Sequence, residues 1–440
     1  MPSTLVTSVQ RVYIQSFGCR ASQADGDEIT TSLESHGLIT VPQAGAADLI
    51  VLNTCTVTAS ADAEARHLIR RYHRDNPDAQ ILVTGCYAQR SAEELAELEG
   101  VRWVVGNSHK SQIADLVTEY PVGVPYHGWV LVGEVADEFR ATSIARIRED
   151  RTRPNLKIQD GCSNKCSFCI IPSVRGRSRS AAVEDVLSQV QQLATRYAEV
   201  VLTGINLGRW GRDLPGTLRF PDLLRTILRE TDVKRLRISS VEPMDWSSDL
   251  LELVATEPRL AKHVHAPLQS GSDAVLKRMF RKYRTRHYAT RLEMARHLMP
   301  DAAIGADVLV GFPGETEEDF RKTVEFVAEQ PFTYLHVFTY SERPGTAAAE
   351  YDGVVPMEVR RDRNRQLREL SDQKNMAFRQ RMSGKTLPAV TLEQRGMALT
   401  TNFLKVELSH PREPNQLIEV EIGGVAGQCL RERTPLKVIG

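Results

Sequence analysis

The sequence predicts an α/β protein with three domains: an open parallel α/β domain over residues 1–135, a partial (β/α)6 barrel over 150–378 and a small β-barrel over 383–440. Strand and helix patterns alternate through the first domain, which indicates a parallel sheet with helices on its faces. Six further strand candidates separated by helices are typical of a β/α barrel. The final segment alternates short β-rich runs with turn residues, which indicates a small all-β module.

The first domain places three cysteines at equivalent positions. Its strands are predicted in RVYIQSFGC, DLIVLNTC, QILVTGC and VRWVVGN, and its helices over residues 25–36, 60–74, 91–98 and 111–119. Cys19, Cys55 and Cys86 each lie just past the carboxyl end of a predicted strand. Because those ends share one edge of a parallel sheet, where ligands bind, the three thiols are expected to meet. The alternative is that each is a small buried hydrophobic residue.

The barrel is predicted from six strands and the helices between them. The strands lie in LKIQ, EVVLTG, RLRISS, HVHAPL, AIGADVLVGF and YLHVFTY, and the helices include residues 182–195, 220–230 and 317–329. A polar, Arg-rich stretch over 134–153 is interpreted as a linker, and 356–382 as a long charged helix.

A second group of cysteines follows the first barrel strand. Cys162, Cys166 and Cys169 form a Cys-x3-Cys-x2-Cys run. Three thiolates on one short loop suit three irons of a [4Fe-4S] cluster and leave the fourth iron open to a substrate. Structural zinc and a disulfide loop are the alternatives. Zinc prefers four closed ligands, and no fourth Cys or His lies close by in sequence.

Composition limits the choice of partners. The chain has 440 residues, 41% hydrophobic and 25% charged, and a formal net charge of zero. Any contact with RNA must therefore use local basic patches. Neither a signal-peptide pattern nor an apolar run of about 18 residues is present, so we expect a cytoplasmic protein without a membrane partner. In that compartment, seven cysteines indicate metal or redox chemistry rather than disulfides.

Seven motifs together resemble one enzyme family. In chain order they are NTCTVT, GCYAQ, QDGCSNKCSFCIIPSVRGRSRS, LTGINLGRWG, SSVEP, HAPLQSGSD and DVLVGFPGET. Over nearly its whole length the chain resembles the radical S-adenosylmethionine methylthiotransferases, and its C-terminal module resembles their TRAM domain, an RNA-binding β-barrel. It is most similar to the branch that adds a methylthio group to carbon 2 of N6-threonylcarbamoyladenosine at position 37 of tRNA. Ser22 stands where related sequences often have Asn, which leaves the neighbouring cysteine ligand intact.

The resemblance implies two [4Fe-4S] clusters and S-adenosylmethionine as cofactors. It implies that Cys162, Cys166 and Cys169 hold the radical-generating cluster, whose open iron binds S-adenosylmethionine. Cys19, Cys55 and Cys86 would hold a second cluster that supplies the sulfur. The partners implied are the tRNA anticodon stem-loop, a low-potential electron donor and a sulfur donor.

Further residues are expected to contact the cofactor. They are Phe168, Arg179, Gly204, Asn206, Ser239, Glu242, His265, Gln269 and Asp307. The residues alone leave alternatives open: Asn206 also suits a turn, and His265 a hydrogen-bonded core position. Asp307 lies on an apolar strand, where a buried carboxylate is costly unless paired, so it is expected to face the barrel interior.

Three arginines and one cysteine have less defined expected roles. Arg175, Arg177 and Arg179 suit pairing with a carboxylate or with phosphates, or a solvated face, and the sequence does not divide these roles between them. Cys429, in the C-terminal module, is expected to be structural.

Other functions remain open at this stage. The same chemistry on N6-isopentenyladenosine in tRNA or on a ribosomal-protein aspartate is one alternative. A non-catalytic RNA-binding protein with structural iron–sulfur clusters is another.

Overall fold

The computed structural model describes residues 9–119, 128–139 and 151–434. The chain forms two compact units. The first unit comprises Met1–Arg146, Lys157–Ala181 and Ser341–Thr346, and the second unit comprises Ile147–Leu156, Ala182–Tyr340 and Ala347–Gly440. Residues 140–150 of the predicted linker lie outside the described residues. The three-domain division stays a prediction.

The first unit contains a six-stranded sheet with all neighbouring strands parallel. Its strands are β1 Arg11–Ser16, β2 Ile39–Thr40, β3 Leu49–Thr54, β4 Gln80–Gly85, β5 Val101–Val105 and β6 Trp129–Leu131. They lie in the order β2-β1-β3-β4-β5-β6. The four predicted strands are present. The strands β2 and β6 were not predicted, because runs of two and three residues are too short to show a period.

Helices cover both faces of this sheet. They are α1 Arg20–Ser35, α2 Ala59–Asp75, α3 Cys86–Arg90, α4 Ala92–Ala96 and α5 Ile113–Glu119. Alternate residues of β3 enter two separate apolar clusters: Leu49 and Val51 join one, and Ile50 and Leu52 join the other. Burial on both sides explains why the parallel strands read as continuous hydrophobic runs.

The first unit also contains the segment that carries the Cys-x3-Cys-x2-Cys run. This segment begins within β7, Asn155–Asp160, and continues through α6, Ile171–Arg175, and β8, Arg179–Ser180. The strands β7 and β8 pair in antiparallel fashion at Gln159–Ser180 and Asp160–Arg179. The cysteine loop therefore leaves the end of β7 and returns beside it.

The second unit holds the other five predicted barrel strands. They are β9 Val200–Gly204, β10 Leu236–Ile238, β11 His263–His265, β12 Ala303–Val310 and β13 Tyr334–Thr339. Its helices are α7 Val183–Ala194, α8 Phe220–Glu230, α9 Ser248–Thr256, α10 Asp273–Arg278, α11 Thr285–Leu298, α12 Glu317–Glu329 and α13 Met357–Gln380. The strands β9 and β10 are parallel, as are β11, β12 and β13. The predicted β/α alternation is confirmed.

A closed five-stranded barrel ends the described chain. Its strands are β14 Thr386–Thr391, β15 Met397–Thr400, β16 Lys405–Glu407, β17 Leu417–Ala426 and β18 Cys429–Glu432, in the order β14-β15-β16-β18-β17. Its apolar interior is continuous with Phe378 of α13, Met382 and Ala303 of β12. Within the described ranges, no helix has both the length and the apolarity needed to cross a membrane.

A buried arginine links this small barrel to β9 and β10. Arg237 of β10 is fully buried and donates two hydrogen bonds to the Glu199 carboxylate, at 2.7 and 3.2 Å. It also donates to the carbonyl oxygens of Thr400, at 3.0 Å, and Thr401, at 3.1 Å. One guanidinium thus satisfies a buried carboxylate and two carbonyl groups at the edge of the barrel.

We expect Arg237→Met to lower the free energy of unfolding of the second unit by about 3–5 kcal/mol, because Glu199 would stay buried without its main partner. Chemical denaturation followed by tryptophan fluorescence measures the loss. Arg229→Met is the matched control, since Arg229 is exposed and pairs with the exposed Glu230. Equal stability of the two variants would contradict this account.

Candidate metal centre

Cys19, Cys55 and Cys86, here called the sheet-edge cysteines, follow three neighbouring strands. Cys19 caps the N-terminus of α1 just after β1, Cys55 follows β3, and Cys86 begins α3 directly after β4. The strand order reverses between β1 and β3, since β2 lies on one side of β1 and β3 on the other. The carboxyl edge at such a reversal is where open α/β sheets bind ligands.

The backbone at Gly18 brings the first of these cysteines next to the second. Gly18 has a φ of +93°, and a Cβ atom there would lie 2.7 Å from Cβ and 2.9 Å from Sγ of Cys55. Only glycine permits both the left-handed conformation and this close approach. Burial and the neighbouring Cys86 and Cys19 sulfurs raise the pKa of the Cys55 thiol to about 11. The structure therefore brings the three sheet-edge cysteines together.

Cys162, Cys166 and Cys169, here called the loop cysteines, share one short turn between β7 and α6. The N–H of Cys169 donates to the carbonyl oxygen of Cys166 at 3.1 Å, and the N–H of Asn164 donates to Sγ of Cys162 at 3.4 Å. All three cysteines are half-buried. Local hydrogen bonds, in addition to packing, therefore hold the backbone of this turn.

The start of this turn is fixed by close backbone contacts. Gly161 has a φ of +69°, and a Cβ atom there would lie 2.0 Å from the carbonyl oxygen of Arg177. The Gln159 amide nitrogen donates to the carbonyl oxygens of Asp160, at 2.9 Å, and Gly161, at 2.8 Å. The N–H of Cys162 donates to the carbonyl oxygen of Gly176 at 3.0 Å. The turn is therefore held before a cluster binds.

Arg175 connects the segment of the loop cysteines to the sheet edge. Its guanidinium is 1% exposed, and its Nε lies 3.2 Å from Sγ of Cys86. One Nη donates to both oxygens of Asp160, at 3.0 and 3.2 Å. The other donates to Asp25, at 2.8 Å, and to the hydroxyl of Ser22, at 3.3 Å. The side chain of Ser22, the one departure noted in the sequence, thus takes part in this network.

Arg175 and the two carboxylates that it contacts favour each other's ionised forms. Burial raises the pKa of Asp25, but the cations Arg175, Lys110 and Lys157 outweigh burial and hold that pKa well below its ordinary value. Burial also raises the pKa of Asp160, and Arg175 and Lys157 again produce a net decrease. These carboxylates in turn hold the pKa of Arg175 above its ordinary value despite burial. The network is an ionised cluster in which the opposite charges compensate for lost hydration.

The other two arginines of this segment have different surroundings. Arg177 is exposed. Arg179 is buried, and its guanidinium donates to the carbonyl oxygens of Arg175, at 2.9 Å, and Arg177, at 3.3 Å. The three arginines therefore differ in role: Arg175 pairs closely with two carboxylates, Arg179 donates to backbone carbonyl groups and lies 3.9 Å from Asp160, and Arg177 is exposed.

Sequence reasoning missed the polar residues that support the cysteines. Asn107 donates to the carbonyl oxygen of Val174 at 2.8 Å, and its Nδ2 lies 3.7 Å from Sγ of Cys86. Asp62 accepts a hydrogen bond at 2.6 Å from Thr56, the residue after Cys55. The position of Asn107, just past the carboxyl end of β5, was the available signal. Asp62 lies within a helix and gives no comparable signal.

The donor set fits two iron–sulfur clusters. All seven cysteines are free thiols, and six of them form two groups of three within the first unit. Three thiols per group match the ligation of a four-iron cluster with one open corner. The Arg175 Nε–H directed at Sγ of Cys86 is the kind of supporting hydrogen bond that orients a metal-ligating side chain.

Cys86, one of the sheet-edge cysteines, makes apolar contacts with residues that follow the loop cysteines. Cys86 packs with Ile170 and Val174, and Ile170 directly follows Cys169. Phe168, a predicted cofactor contact, is half-buried between two loop cysteines. Together with Arg175, this packing joins the segment that carries the loop cysteines to the sheet edge.

The predicted cofactor residues of the second unit form a polar group at the strand ends. The ring of His265 lies 3.1 Å from the Ser240 hydroxyl and 3.4 Å from Asp307. Gln269 has a φ of +67°, and its N–H donates to the carbonyl oxygen of Asp307 at 2.8 Å. Glu242 accepts a hydrogen bond at 2.6 Å from Arg281. A carboxylate and an imidazole therefore meet on β11 and β12.

Three other predicted residues lie on neighbouring strands. Ser239 follows β10, with its hydroxyl 3.5 Å from that of Thr203. Gly204 ends β9, and the buried Asn206 lies two residues later. His336, which the sequence analysis missed, pairs across the sheet with Asp307. One ligand atom from each of His265, Asp307 and His336 lies within 4.8 Å of the others.

Two family models match the chain. The model described as uncharacterized protein family UPF0004 matches residues 11–106, and the Radical SAM superfamily model matches residues 156–327. The first match includes the sheet-edge cysteines, and the second includes the loop cysteines.

Curated relatives match almost the whole chain. A threonylcarbamoyladenosine tRNA methylthiotransferase of Aquifex aeolicus is 36% identical and covers 94% of this chain and 100% of its own length. The protein of that name in Bacillus subtilis is 38% identical, covering 90% of this chain and 89% of its own length. A tRNA-2-methylthio-N(6)-dimethylallyladenosine synthase of Syntrophobacter fumaroxidans is 37% identical, with coverage of 83% and 82%.

Solved structures share the fold at low sequence identity. The radical S-adenosylmethionine methyltransferase TsrM of Kitasatospora setae, solved with cobalamin and a [4Fe-4S] cluster, has a TM-score of 0.57 at 17% identity, covering 78% of this chain and 77% of that one. The cobalamin-dependent S-adenosylmethionine radical enzyme OxsB has a TM-score of 0.51 at 12% identity, with coverage of 84% and 56%. These likenesses concern the fold alone.

We expect Arg175→Met to destabilise the first unit by about 3–5 kcal/mol in protein prepared without iron, because Asp25 and Asp160 would lose a shared buried partner. Urea denaturation of the iron-free protein measures the loss. Arg177→Met, two residues away on an exposed side chain, is the matched control. If the two variants unfold at the same urea concentration, Arg175 does not stabilise this region.

Proposed function

Since the chain belongs to the radical S-adenosylmethionine methylthiotransferase family, we propose that it adds a methylthio group to carbon 2 of N6-threonylcarbamoyladenosine at position 37 of tRNA. The relatives named for this activity are 34–38% identical over most of this chain. The observation that carries the proposal is the presence of both cysteine groups in one compact unit, joined by Arg175. Dimethylallyladenosine synthases are also similar, at 33–37% identity, so the base modification is what the experiment must identify.

The six thiols would hold the two clusters. Cys162, Cys166 and Cys169 suit one [4Fe-4S] cluster, and the sheet-edge cysteines suit the second. When bound, the clusters and S-adenosylmethionine supply the radical and sulfur chemistry needed at an unactivated carbon of adenine. Burial of Cys55 and Cys86 keeps water away from two of the ligands. Arg175 orients Cys86 and adds a positive charge beside it.

The remaining partners follow from this chemistry. We propose the tRNA anticodon stem-loop as substrate, a low-potential electron donor and a sulfur donor, with the protein acting in the cytoplasm. His265 with its neighbour Asp307, and Glu242 beside Arg281, are proposed to contact S-adenosylmethionine or the target base. Support comes from their position at the carboxyl ends of the barrel strands, where such folds bind substrates.

The tRNA nucleosides identify the substrate. We expect a strain without this protein to lose the 2-methylthio form of N6-threonylcarbamoyladenosine and to accumulate the unmethylthiolated nucleoside, as measured by mass spectrometry. The chain expressed from a plasmid restores the product. Loss of the dimethylallyladenosine product instead would replace the proposed substrate with the alternative, and no change in either would refute the proposed activity.

The iron content of cysteine variants tests each of the two cysteine groups separately. After anaerobic reconstitution we expect about eight irons per chain, and about four in Cys55→Ala, because two four-iron clusters become one. Cys162→Ala is expected to lose S-adenosylmethionine cleavage, whereas Cys55→Ala retains cleavage but does not insert sulfur. Cys429→Ala, outside both groups, is the control and keeps about eight irons. Eight irons in Cys55→Ala would exclude the sheet-edge cysteines as ligands.

A further inference from the structure

The helix α10 ends in a motif that normally requires glycine. The N–H of Phe280 donates to the carbonyl oxygen of Lys277 at 3.1 Å, and the N–H of Arg281 donates to that of Leu276 at 2.9 Å. This pair of bonds defines a Schellman C-cap, in which the residue after the cap is left-handed and is usually Gly, sometimes Asn. Here that residue is Phe280, with a φ of +57°.

Neither the backbone nor the core explains a phenylalanine at this position. A bulky residue in the left-handed region is strained, and such strain persists mainly at functional sites. Burial gives little compensation, since Phe280 is 53% exposed. By contrast, Phe403 also has a positive φ but stacks on His263 with ring centroids 4.4 Å apart. The ring of Phe280 is instead presented to solvent.

The chain around Phe280 is strongly basic. Residues 276–286, LKRMFRKYRTR, contain six Lys and Arg residues and no acid. Arg281 is used internally, by Glu242, and Arg278 donates to the carbonyl oxygen of Gly314 at 2.7 Å. Lys277, Lys282 and Arg286 are exposed. Lys277 lines one groove together with Phe280, and Lys282 and Arg286 follow the ring in the same basic turn.

An open groove of about 700 Å³ lies beside the ring. Tyr351 and Pro313 line it together with Phe280 and Lys277. Pro313 follows β12, and α10 follows β11, so the groove lies at the carboxyl ends of the barrel strands. Loops at those ends bind substrates in β/α barrels. Glu350 and Asp352 also line the groove, and their carboxylates suit the exocyclic amino groups of bases rather than phosphates.

We propose that Phe280 is a stacking platform for an unpaired base of RNA, with Lys277, Lys282 and Arg286 neutralising the flanking phosphates. Unpaired bases stack on exposed aromatic rings in basic grooves, and this mode of binding tolerates many sequences. RNA is favoured over a protein partner because the turn that carries the ring, residues 276–286, holds six Lys and Arg residues and no acid. The identity of the RNA rests on the proposed function, and the loop nucleotides of the tRNA are the unpaired bases that this function provides.

Phe280→Gly separates a binding role from a structural one. We expect it to weaken binding of an RNA hairpin with a seven-nucleotide loop by about 5- to 150-fold, the range for loss of one stacked base. We also expect the melting temperature to stay the same or rise, because glycine is the ordinary residue at this cap. Fluorescence anisotropy with the reconstituted protein measures the affinity. Phe280→Trp keeps the ring and should bind as tightly as the wild type.

Matched controls define the result. Leu218→Ala removes another exposed apolar side chain, 48% exposed, and should leave RNA affinity unchanged. Lys282→Ala should lower the salt dependence of binding by about one phosphate contact. Wild-type affinity in Phe280→Gly, an equal loss on a blunt RNA duplex, or weak binding by Phe280→Trp would each overturn the proposal. Failure of the wild type to bind the hairpin and to restore the modified nucleoside would instead refute the proposed function as well.

Discussion

The interaction on which the candidate site depends is the buried guanidinium of Arg175. A planar fork with five donors reaches Cys86, Ser22 and two carboxylates at once, and no other side chain has this geometry. A lysine would keep the charge but not the simultaneous contacts. Because Asp25 is buried and Asp160 is half-buried, the position of Arg175 is set by strong, directional bonds to two carboxylates. The segment that follows the loop cysteines is thereby fixed to the sheet edge.

The second unit also contains a buried arginine paired with a carboxylate, but this arginine contacts the C-terminal barrel instead of a cysteine segment. Arg237 pairs with the buried Glu199 and caps two carbonyl groups of the C-terminal barrel. A hydrophobic contact there would bury the same area but would not fix the angle between the elements, because apolar packing has no preferred direction. Buried ion pairs of this kind add little net stability compared with well-packed apolar residues. In this protein, the pair of Arg237 and Glu199 instead fixes the position of the C-terminal barrel relative to β9 and β10.

The sequence predicted the longer strands, the long helices and the two cysteine groups, because each leaves a local signal. A continuous hydrophobic run marked β3, a helical hydrophobic period marked α8, and the ends of the predicted strands marked where Cys55 and Cys86 stand. The partners of the cysteines left no such signal. Asp25 reads as an ordinary polar residue of α1, yet it is fully buried beside Arg175. Its role depends on a contact between residues 150 positions apart, which no local pattern encodes.

The same limit applies to Phe280, for a different reason. No sequence pattern predicts a left-handed backbone at this position, since phenylalanine seldom adopts one. The two hydrogen bonds of the cap show that the helix imposes this conformation. The strained residue is therefore visible only once the cap geometry is known.

The chain has a net charge of zero, but its cations fall into two sets: buried and paired, or exposed. Arg175, Arg237 and Arg363 are buried and paired with carboxylates, so most of their charge is neutralised inside the protein. The charges available to a polyanion are those without an internal carboxylate, such as the exposed Lys277 and Lys282. Electrostatic attraction at short range depends on such local groups, because salt screens the field of the whole molecule beyond about 10 Å. A neutral protein can therefore bind RNA through one basic turn, and the proposed stacking on Phe280 would place that RNA at the carboxyl ends of the barrel strands, where β/α barrels bind their substrates.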